Sequence, residues 1–369
     1  MANKKIPELT ELASVNSATD FLPVVDTSTV KTKKISLANL PMSDAEIDQS
    51  YPFTTNFKSG TEETLDLNII NSTRFRSDTN LTSIYIGSNV KSISSLGFFE
   101  CSNLASVTMP DSVTSIGDEA FRGCTSLANI AISDRLTAIG SLAFFACSNL
   151  ASVKIGGSTT FIGSQSFQYC TSLTSFIIPD SVTSMGYAAF FGCTGLTNIT
   201  IGDSVTSIGN ATFMRCSSLD SVTIPDSMIS IDSSAFRECT SLSSITIGNT
   251  VTSIGNQAFQ SCTSLTSITI PDSVTSIGNG AFNICSGLSS ITIPKGVTSI
   301  GLFAFANCSA LSTIISLAVD APTLVGGATA FNGVAATTIT VPAGATASYV
   351  AAGTDGKYGG LIIAELAEA

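Results

Sequence analysis

The chain contains no histidine and no tryptophan, and only 12% of its 369 residues are charged. Histidine is the commonest general base and metal ligand in proteins, so its absence excludes most hydrolase and metalloenzyme mechanisms. The 16 basic and 27 acidic side chains give a formal net charge of −11. This balance disfavours nucleic acid as a partner, because that binding depends on Lys and Arg neutralising phosphates. The composition therefore favours a scaffold over an enzyme, and we expect no cofactor.

Long apolar segments are also missing. No segment approaches the roughly 20 apolar residues of a membrane helix, so we expect no membrane insertion. The chain starts with basic residues, Lys4 and Lys5, but Pro7, Glu8 and Glu11 follow where a signal peptide needs an apolar run. If the protein acts outside a cell, we expect that it did not leave by an ordinary secretion signal.

Ten cysteines define an internal repeat, because every interval between successive ones is 23 residues. They lie at positions 101, 124, 147, 170, 193, 216, 239, 262, 285 and 308. A leucine follows each cysteine by three residues, and a phenylalanine precedes each by three. Phe75 and Leu81 extend the period one unit earlier, with Asp78 in place of the cysteine. A fixed period of this length predicts a solenoid of stacked rungs.

One unit, starting at Cys262, reads CTSLTSITIPDSVTSIGNGAFNI. The apolar alternation in 265–270 predicts a short strand, residues 271–273 a turn, and residues 281–282 the back of the coil. A single unit cannot cover its apolar side chains, so neighbouring units must bury them. The predicted fold is a capped repeat solenoid of about 11 rungs, with a short parallel β-strand per rung and an irregular or short helical back.

The unit CxxLxxIxIPxxVxxIGxxAFxx resembles the 23-residue leucine-rich repeat of the BspA-like family, also found in treponemal surface proteins. The resemblance extends over about 70–369, with breaks at Asp232, Gly156–Gly157 and Lys295. It implies an adhesive surface protein that binds other proteins or cell surfaces and performs no catalysis. Phe331 falls where the period would place a cysteine, so we expect an insertion or deletion of about three residues to have shifted the last rung.

The first 44 residues lack the period. Their pieces KIPEL, DFLPVVD and TKKIS resemble a short leader at the start of many phage tail-fibre and virion proteins. That resemblance implies attachment to other virion proteins through Leu9, Leu12, Phe21, Leu22, Pro23, Val24 and Val25. The predicted domains are an attachment segment (1–44), a connector with an imperfect first rung (45–77), the solenoid (78–315), and a degenerate last rung with a C-terminal cap (316–369).

Two function classes follow. The first is a phage virion structural protein, a tail fibre, receptor-binding protein or capsid decoration, located on the virion after assembly in the host cytoplasm. Its repeats would contact a host-surface protein or glycan. The alternative is a bacterial cell-surface adhesin of the BspA-like kind that binds host or neighbouring-cell proteins. A homo-oligomer is compatible with either. The sequence shows no constellation of acid, base and nucleophile and no phosphate-binding loop, so we do not expect an enzyme.

Two sets of exposed residues are candidates for partner binding. The outward strand position is threonine on five consecutive rungs, at Thr200, Thr223, Thr246, Thr269 and Thr292, after Lys154 and Ile177 on earlier rungs. This column could bind glycan hydroxyls or ice, or threonine could simply suit an exposed strand position. The second set is Phe99, Phe145 and Phe191, on alternate rungs about 10 Å apart, with Arg122 and Gln168 between them and Tyr169 and Tyr187 beside them. These rings could form a partner surface or pack shallowly over the back of the coil.

The cysteines and the turn aspartates each have a structural and a metal-binding interpretation. We expect a buried, reduced cysteine column, because free cysteine behaves as a small hydrophobe and a straight column does not surround a zinc ion. Six units carry aspartate at the turn, namely Asp111, Asp134, Asp180, Asp203, Asp226 and Asp272. A calcium ladder is conceivable there, but the neighbouring residues are not further carboxylates, which favours turn formation and no metal site.

Overall fold

The computed structural model describes residues 63–65, 69–70 and 74–366. They belong to one compact unit that spans residues 55–369. The attachment residues predicted within 1–44 lie outside the described residues, and the predicted domain boundaries stay predictions.

Each rung contributes one or two short strands, and the part of the chain that the structure describes contains very little helix. In chain order the strands are β1 (Glu63–Leu65), β2 (Ile69–Ile70), β3 (Ser83–Ile86), β4 (Ser92–Ile93), β5 (Ser106–Thr108), β6 (Ser115–Ile116), β7 (Asn129–Ala131), β8 (Ala138–Ile139), β9 (Ser152–Lys154), β10 (Phe161–Ile162), β11 (Ser175–Ile177), β12 (Ser184–Met185), β13 (Asn198–Thr200), β14 (Ser207–Ile208), β15 (Ser221–Thr223), β16 (Ser230–Ile231), β17 (Ser244–Thr246), β18 (Ser253–Ile254), β19 (Ser276–Ile277), β20 (Ser290–Ile293), β21 (Ser299–Ile300), β22 (Thr313–Ser316), β23 (Thr323–Leu324), β24 (Thr338–Val341), β25 (Lys357–Tyr358) and β26 (Leu361–Glu365). Within residues 74–366, the helical segments are a 3₁₀ turn (Gly327–Phe331) and α1 (Thr346–Ala352).

The strands stack into parallel ladders on two sides of the coil. One side holds the sheets β1-β3-β5-β7-β9, β11-β13-β15-β17 and β20-β22-β24-β26-β25, which we call the first side. The other holds β12-β10-β8-β6-β4-β2 and β14-β16-β18-β19-β21-β23, the second side. Within the repeats, pairing is in register by one period, as in Val222 with Ile245. Equivalent residues of successive rungs therefore lie side by side.

The third side of the coil, which we call the back, is irregular but still bonded from rung to rung. The amide N–H groups of Leu96, Phe98 and Glu100 donate to carbonyl oxygens of the next rung at 3.0, 2.7 and 2.7 Å. Leu96 and Glu100 have φ of +64° and +56°, and the same two positions are left-handed on later rungs. A left-handed non-glycine residue costs roughly 1–2 kcal/mol. This inter-rung bonding and the core packing beneath it must offset that cost.

Twelve phenylalanines form one continuous buried stack from Phe75 to Phe331. Successive ring centroids are 5.0–5.5 Å apart and the rings are nearly parallel. Phe331 stacks on Phe305, 26 residues earlier, which is three more than the period. The expected insertion or deletion of about three residues is therefore an insertion. The predicted fold class is confirmed as a β-solenoid of about 12 turns.

The C-terminal segment closes the apolar end of the solenoid. Tyr349 on α1 is fully buried, and its hydroxyl donates to the Ala318 carbonyl oxygen at 2.9 Å and lies 2.6 Å from the Ser316 hydroxyl. The Tyr358 ring packs edge-on against it at 4.9 Å, and the Tyr358 hydroxyl donates to the Pro322 carbonyl oxygen. Among the described residues, no helix has the length and apolar character needed to span a bilayer.

Candidate binding surfaces

The threonine column of the first side is exposed at all five predicted positions, Thr200, Thr223, Thr246, Thr269 and Thr292. Four of these residues lie on strands, whereas the 266–270 segment that carries Thr269 forms no assigned strand. Among the described residues, none of the five hydroxyls makes a hydrogen bond. They therefore remain available to a ligand.

A second threonine column, on the second side, differs in its hydrogen bonding. The Thr160 hydroxyl donates to the Thr137 carbonyl oxygen at 3.1 Å, and that of Thr275 donates to the Thr252 carbonyl oxygen at 3.1 Å. Most members of this column make the same bond to the preceding rung. These hydroxyls serve the stacking of rungs, so this column is structural.

Large side chains interrupt the first-side column on the early rungs. Lys154 is exposed and pairs in register with Ala131, and Ile177, 68% exposed, pairs with Thr200. Tyr85, 46% exposed, occupies the same position on β3, where sequence reasoning missed it. The signal was present, since Tyr85 lies one period before Thr108.

Phe99, Phe145 and Phe191, the phenylalanines predicted to lie on the back, are half-buried. They belong to a longer row of rings and arginines, which is separate from the buried phenylalanine stack. Arg76 lies over the Phe99 ring at 5.1 Å, and Arg122 lies between Phe99 and Phe145 at 5.5 and 5.0 Å from their centroids. Cation–π contacts of this kind hold both the ring and the guanidinium in place. We call the full set the arginine–aromatic ladder; it comprises Arg76, Phe99, Arg122, Phe145, Tyr169, Phe191 and Arg215.

Tyr169, not Gln168, continues the ladder between Phe145 and Phe191. Its ring meets the two phenylalanines edge-on at 5.7 and 5.5 Å, whereas Gln168 is buried. Space for the Tyr169 ring exists because the next rung has Gly192, whose Cβ, if present, would lie 2.7 Å from the Tyr169 Cδ1 atom. Tyr169 precedes its cysteine by one residue instead of two, which is why the spacing did not identify it.

Two of the three arginines of the ladder, Arg122 and Arg215, are paired with carboxylates. Arg122 Nη1 lies 2.7 Å from Glu119 Oε2, and Arg215 Nε lies 2.9 Å from Glu238 Oε2. Arg215 also lies over the Phe191 ring at 5.6 Å. Tyr187 is 54% exposed and lies on the same irregular side of the coil. The ladder thus presents partly exposed rings and guanidinium groups that are already held in one conformation.

All ten cysteines are free and fully buried. Each thiol donates to the carbonyl oxygen of the phenylalanine 26 residues earlier, with S···O distances of 2.7–3.2 Å. Burial raises the pKa of Cys101, Cys147 and Cys193 to about 12. The predicted burial of the column is confirmed, and the protonated thiols are poor nucleophiles and poor metal ligands.

Two of the six turn aspartates, Asp180 and Asp226, bond to the backbone of the following rung, and Asp272 pairs with Lys295 Nζ at 3.0 Å. Asp180 Oδ1 accepts the N–H of Asp203 at 2.9 Å, and Asp226 Oδ1 accepts that of Asn249 at 2.7 Å. These bonds use carboxylate oxygens that a cation would need. Within the described part of the chain, no group of three or more Cys, Asp or Glu residues could hold a metal ion.

Comparison with solved structures gives the same architecture. A leucine-rich repeat protein from Bacteroides ovatus ATCC 8483 is 25% identical, with a TM-score of 0.55 over 82% of this chain and 88% of that one. The pneumococcal vaccine antigen PcpA is 17% identical, with a TM-score of 0.54 over 84% and 90%. A leucine rich cell surface protein from Faecalibacterium prausnitzii A2-165 is 30% identical, with a TM-score of 0.41 over 64% and 79%. No curated protein matches the chain.

The family comparison covers the repeats themselves. The family described as a BspA type leucine rich repeat region matches residues 68–196, 160–261 and 206–333. Leucine-rich repeat solenoids are typically protein-interaction scaffolds, and no catalytic family is indicated. The resemblance of residues 1–44 to virion leader segments has no support among these comparisons and stays a prediction. The predicted family is confirmed: the chain belongs to the BspA-type leucine-rich repeat family.

Proposed function

We propose that this protein is an adhesion module displayed at a bacterial cell surface, which binds a partner protein through the arginine–aromatic ladder and Tyr187. BspA-like leucine-rich repeat proteins are typically bacterial cell-surface proteins, which supports the location. The ladder is the observation that carries the binding role. The later rungs place Met214, Arg237, Gln260, Asn283 and Ala306 at the position of Phe99, Phe145 and Phe191, so the repeat itself does not require aromatic rings there.

The composition and rigidity of the ladder suit a protein interface. Tyrosine and arginine are the side chains most enriched, after tryptophan, among residues that dominate binding energy. Here the rings and guanidinium groups are fixed by mutual stacking and by the Glu119 and Glu238 ion pairs. Binding a partner would therefore cost little side-chain entropy in the ladder. Ordering a flexible side chain at an interface costs about 0.5–1.5 kcal/mol.

The repeat supplies substitutions that test this surface without disturbing the fold. Tyr169→Ala places alanine where Ala146 stands one rung earlier, with φ of +56° against +62°. Tyr187→Ser places serine where Ser164 stands one rung earlier. Ile229→Thr is the matched control, because it removes an exposed apolar residue from the second side and threonine occupies that position on both neighbouring rungs.

The test is flow cytometry of the fluorescently labelled full chain on intact cells that share the habitat of the source organism. We expect saturable binding, a loss of at least about tenfold in affinity for the Tyr169→Ala/Tyr187→Ser variant, equivalent to about 1.4 kcal/mol, and a change under about twofold for Ile229→Thr. Absence of saturable binding by the wild-type chain would overturn the proposal, as would equal affinity of the ladder variant.

The virion interpretation is a second candidate, and the specific observation that favours it is the set of leader-like pieces within residues 1–44. Under it, that segment would bind other virion proteins and the repeats would contact a host surface. The two candidates share the ladder as binding surface and differ in what displays it. Localisation separates them.

A further inference from the structure

A shallow groove opens on the back of the coil at later rungs, beyond the arginine–aromatic ladder. Its volume is about 330 Å³, and it is lined by Asn256, Gln257, Asn279, Gly280, Asn283, Leu302 and Phe303. These residues come from three consecutive rungs, since Asn256, Asn279 and Leu302 are spaced by one period, as are Gln257, Gly280 and Phe303. No charged residue lines the groove.

The groove exists because one rung lacks a side chain. Gly280 has φ of +59°, and the same position carries Glu119, Gln165 and Phe303 on other rungs with φ of 56–57°. A Cβ at Gly280 would lie 3.6 Å from Gln257 Cγ and 3.7 Å from Asn283 Cβ, which is ordinary contact. The backbone would therefore accept a side chain here, and its absence leaves the space open.

Three of the residues that line this space are asparagines whose amide oxygens are already bonded. Asn256 Oδ1 accepts the N–H of Asn279 at 2.7 Å, and Asn279 Oδ1 accepts the N–H of Leu302 at 2.8 Å. Because a backbone N–H can only donate, the atom that accepts it must be the amide oxygen, which fixes the orientation of the Asn256 and Asn279 amides. The Nδ2 group of each residue takes no part in these bonds. Asn283 Oδ1 likewise accepts from Asn307 Nδ2 at 3.1 Å. Among the described residues, none of the three Nδ2 groups that line the groove has an acceptor.

An apolar surface adjoins these donors. Phe303 is 46% exposed although a phenylalanine side chain gains free energy from burial, and Leu302 lies beside it, half-buried. The groove therefore combines several uncharged donors with one accessible ring. A ligand that matches it carries many acceptor oxygens, little or no charge, and a C–H face that can cover the ring.

We infer that this groove is a carbohydrate-binding site. Sugar hydroxyl oxygens accept from the Nδ2 groups of Asn256, Asn279 and Asn283 and from the Gln257 Nε2 group, whose amide oxygen accepts from Arg237 Nη1 at 3.5 Å. A pyranose C–H face packs on Phe303. An extended peptide fits less well, because its N–H groups need acceptors and the asparagine oxygens are already bonded. The inference adds a ligand class to the proposed function. It rests on that function only in assuming that the repeats contact the surface of another cell.

The test is binding of the full chain to an array of neutral glycans, with two variants matched to the repeat. Gly280→Gln fills the groove with the side chain that Gln257 and Gln165 already hold at this position with φ of +57°. Ser234→Gln is the control, because it introduces glutamine at the equivalent position two rungs earlier, outside the groove, where φ is +58°. Asn279→Ser keeps an acceptor for the next backbone N–H, as Ser95 Oγ accepts that of Asp118 at 3.2 Å, but removes the free donors.

We expect the wild-type chain to bind a defined group of glycans, Gly280→Gln to lose at least about tenfold in affinity, Asn279→Ser to lose about threefold or more, and Ser234→Gln to match the wild type. No glycan binding by the wild-type chain, or binding that survives Gly280→Gln, overturns the inference. If glycan binding fails in this way but the Tyr169→Ala/Tyr187→Ser variant still loses binding to cells, the groove inference is wrong and the proposed function stands. If the wild-type chain also binds no cells, the proposed function fails with it.

Discussion

Each cysteine thiol has its hydrogen-bond acceptor and its apolar surroundings in the preceding rung. The Cys147 thiol, for example, donates to the Phe121 carbonyl oxygen at 3.1 Å and is fully buried. Burial disfavours the thiolate and raises the pKa of Cys147 to about 12, from an ordinary value near 9. The cysteine column is therefore tightly packed and chemically inert at neutral pH. The same pKa shift makes the stability of the fold sensitive to high pH.

Stability should fall as pH rises from about 9 to 12. In this window the unfolded chain releases thiol protons that the folded chain retains, so the folded state loses free energy relative to the unfolded one, by up to about 1.36 kcal/mol per pH unit for each cysteine. Below about pH 9 this contribution is complete. Urea unfolding at pH 8 and pH 9.5 measures it, since ten cysteines together already contribute several kcal/mol over this interval.

Cys147→Ala provides the control for this pH dependence. The variant should be less stable at pH 8, because it loses a hydrogen bond and buried volume. Its loss of stability between pH 8 and 9.5 should be about 0.8 kcal/mol smaller than that of the wild-type chain. An identical pH dependence in both proteins, or rapid thiol labelling of the native protein at pH 8, would contradict the buried column.

The interior residues could be predicted from the sequence because a single period assigns them all. The exposed residues could not be assigned so fully. Tyr169 lies in the ladder because Gly192 on the next rung leaves space, a relation between two rungs that spacing does not express. The left-handed conformation of Leu96 and Glu100 has no local sequence signal either, since neither residue favours it.

In most repeat units a glycine follows the second-side strand, and successive rungs approach each other closely at this glycine. A Cβ at Gly140 would lie 2.5 Å from the carbonyl carbon of Gly117, a backbone atom of the previous rung that cannot move aside alone. Gly140 needs no positive φ; its glycine is required by the neighbouring backbone. This contact explains why most units keep glycine here.

Gly140→Ala should destabilise the protein by about 3 kcal/mol, because two rungs must separate locally and lose packing on both sides. Gly157→Ala is the control, since a Cβ at Gly157 meets nothing within 4 Å and its φ is not positive. That variant should change the free energy of unfolding by less than about 0.5 kcal/mol. Urea unfolding of the two variants gives both values, and equal stability would show that the rungs are not stacked as described.

At the level of strands, prediction succeeded where residues 23 apart pair in register, as do Thr223 and Thr246. It did not anticipate that the 266–270 segment forms no assigned strand although its sequence resembles its neighbours. Nor did it predict a second ladder of two-residue strands such as Ser207–Ile208, because two residues are too short for an alternation to be recognised.

The whole molecule combines a uniform interior with a surface that changes along its length. The phenylalanine stack continues unbroken from Phe75 to Phe331, whereas the ladder occupies the early rungs and the amide-lined groove the later ones. A repeat that conserves its core and varies its exterior can carry separate binding sites on one rigid support. Several weak contacts made together also raise the effective affinity for a surface.

Surface display is the central claim, and immunogold labelling of intact cells with an antibody against residues 78–315 tests it most directly. The account predicts gold on the exterior of unpermeabilised cells of the source organism, at a density that permeabilisation does not increase substantially. Label that appears only after permeabilisation, or only on free virus particles in the culture, would contradict display at the cell surface; the second result would instead support the virion interpretation of residues 1–44.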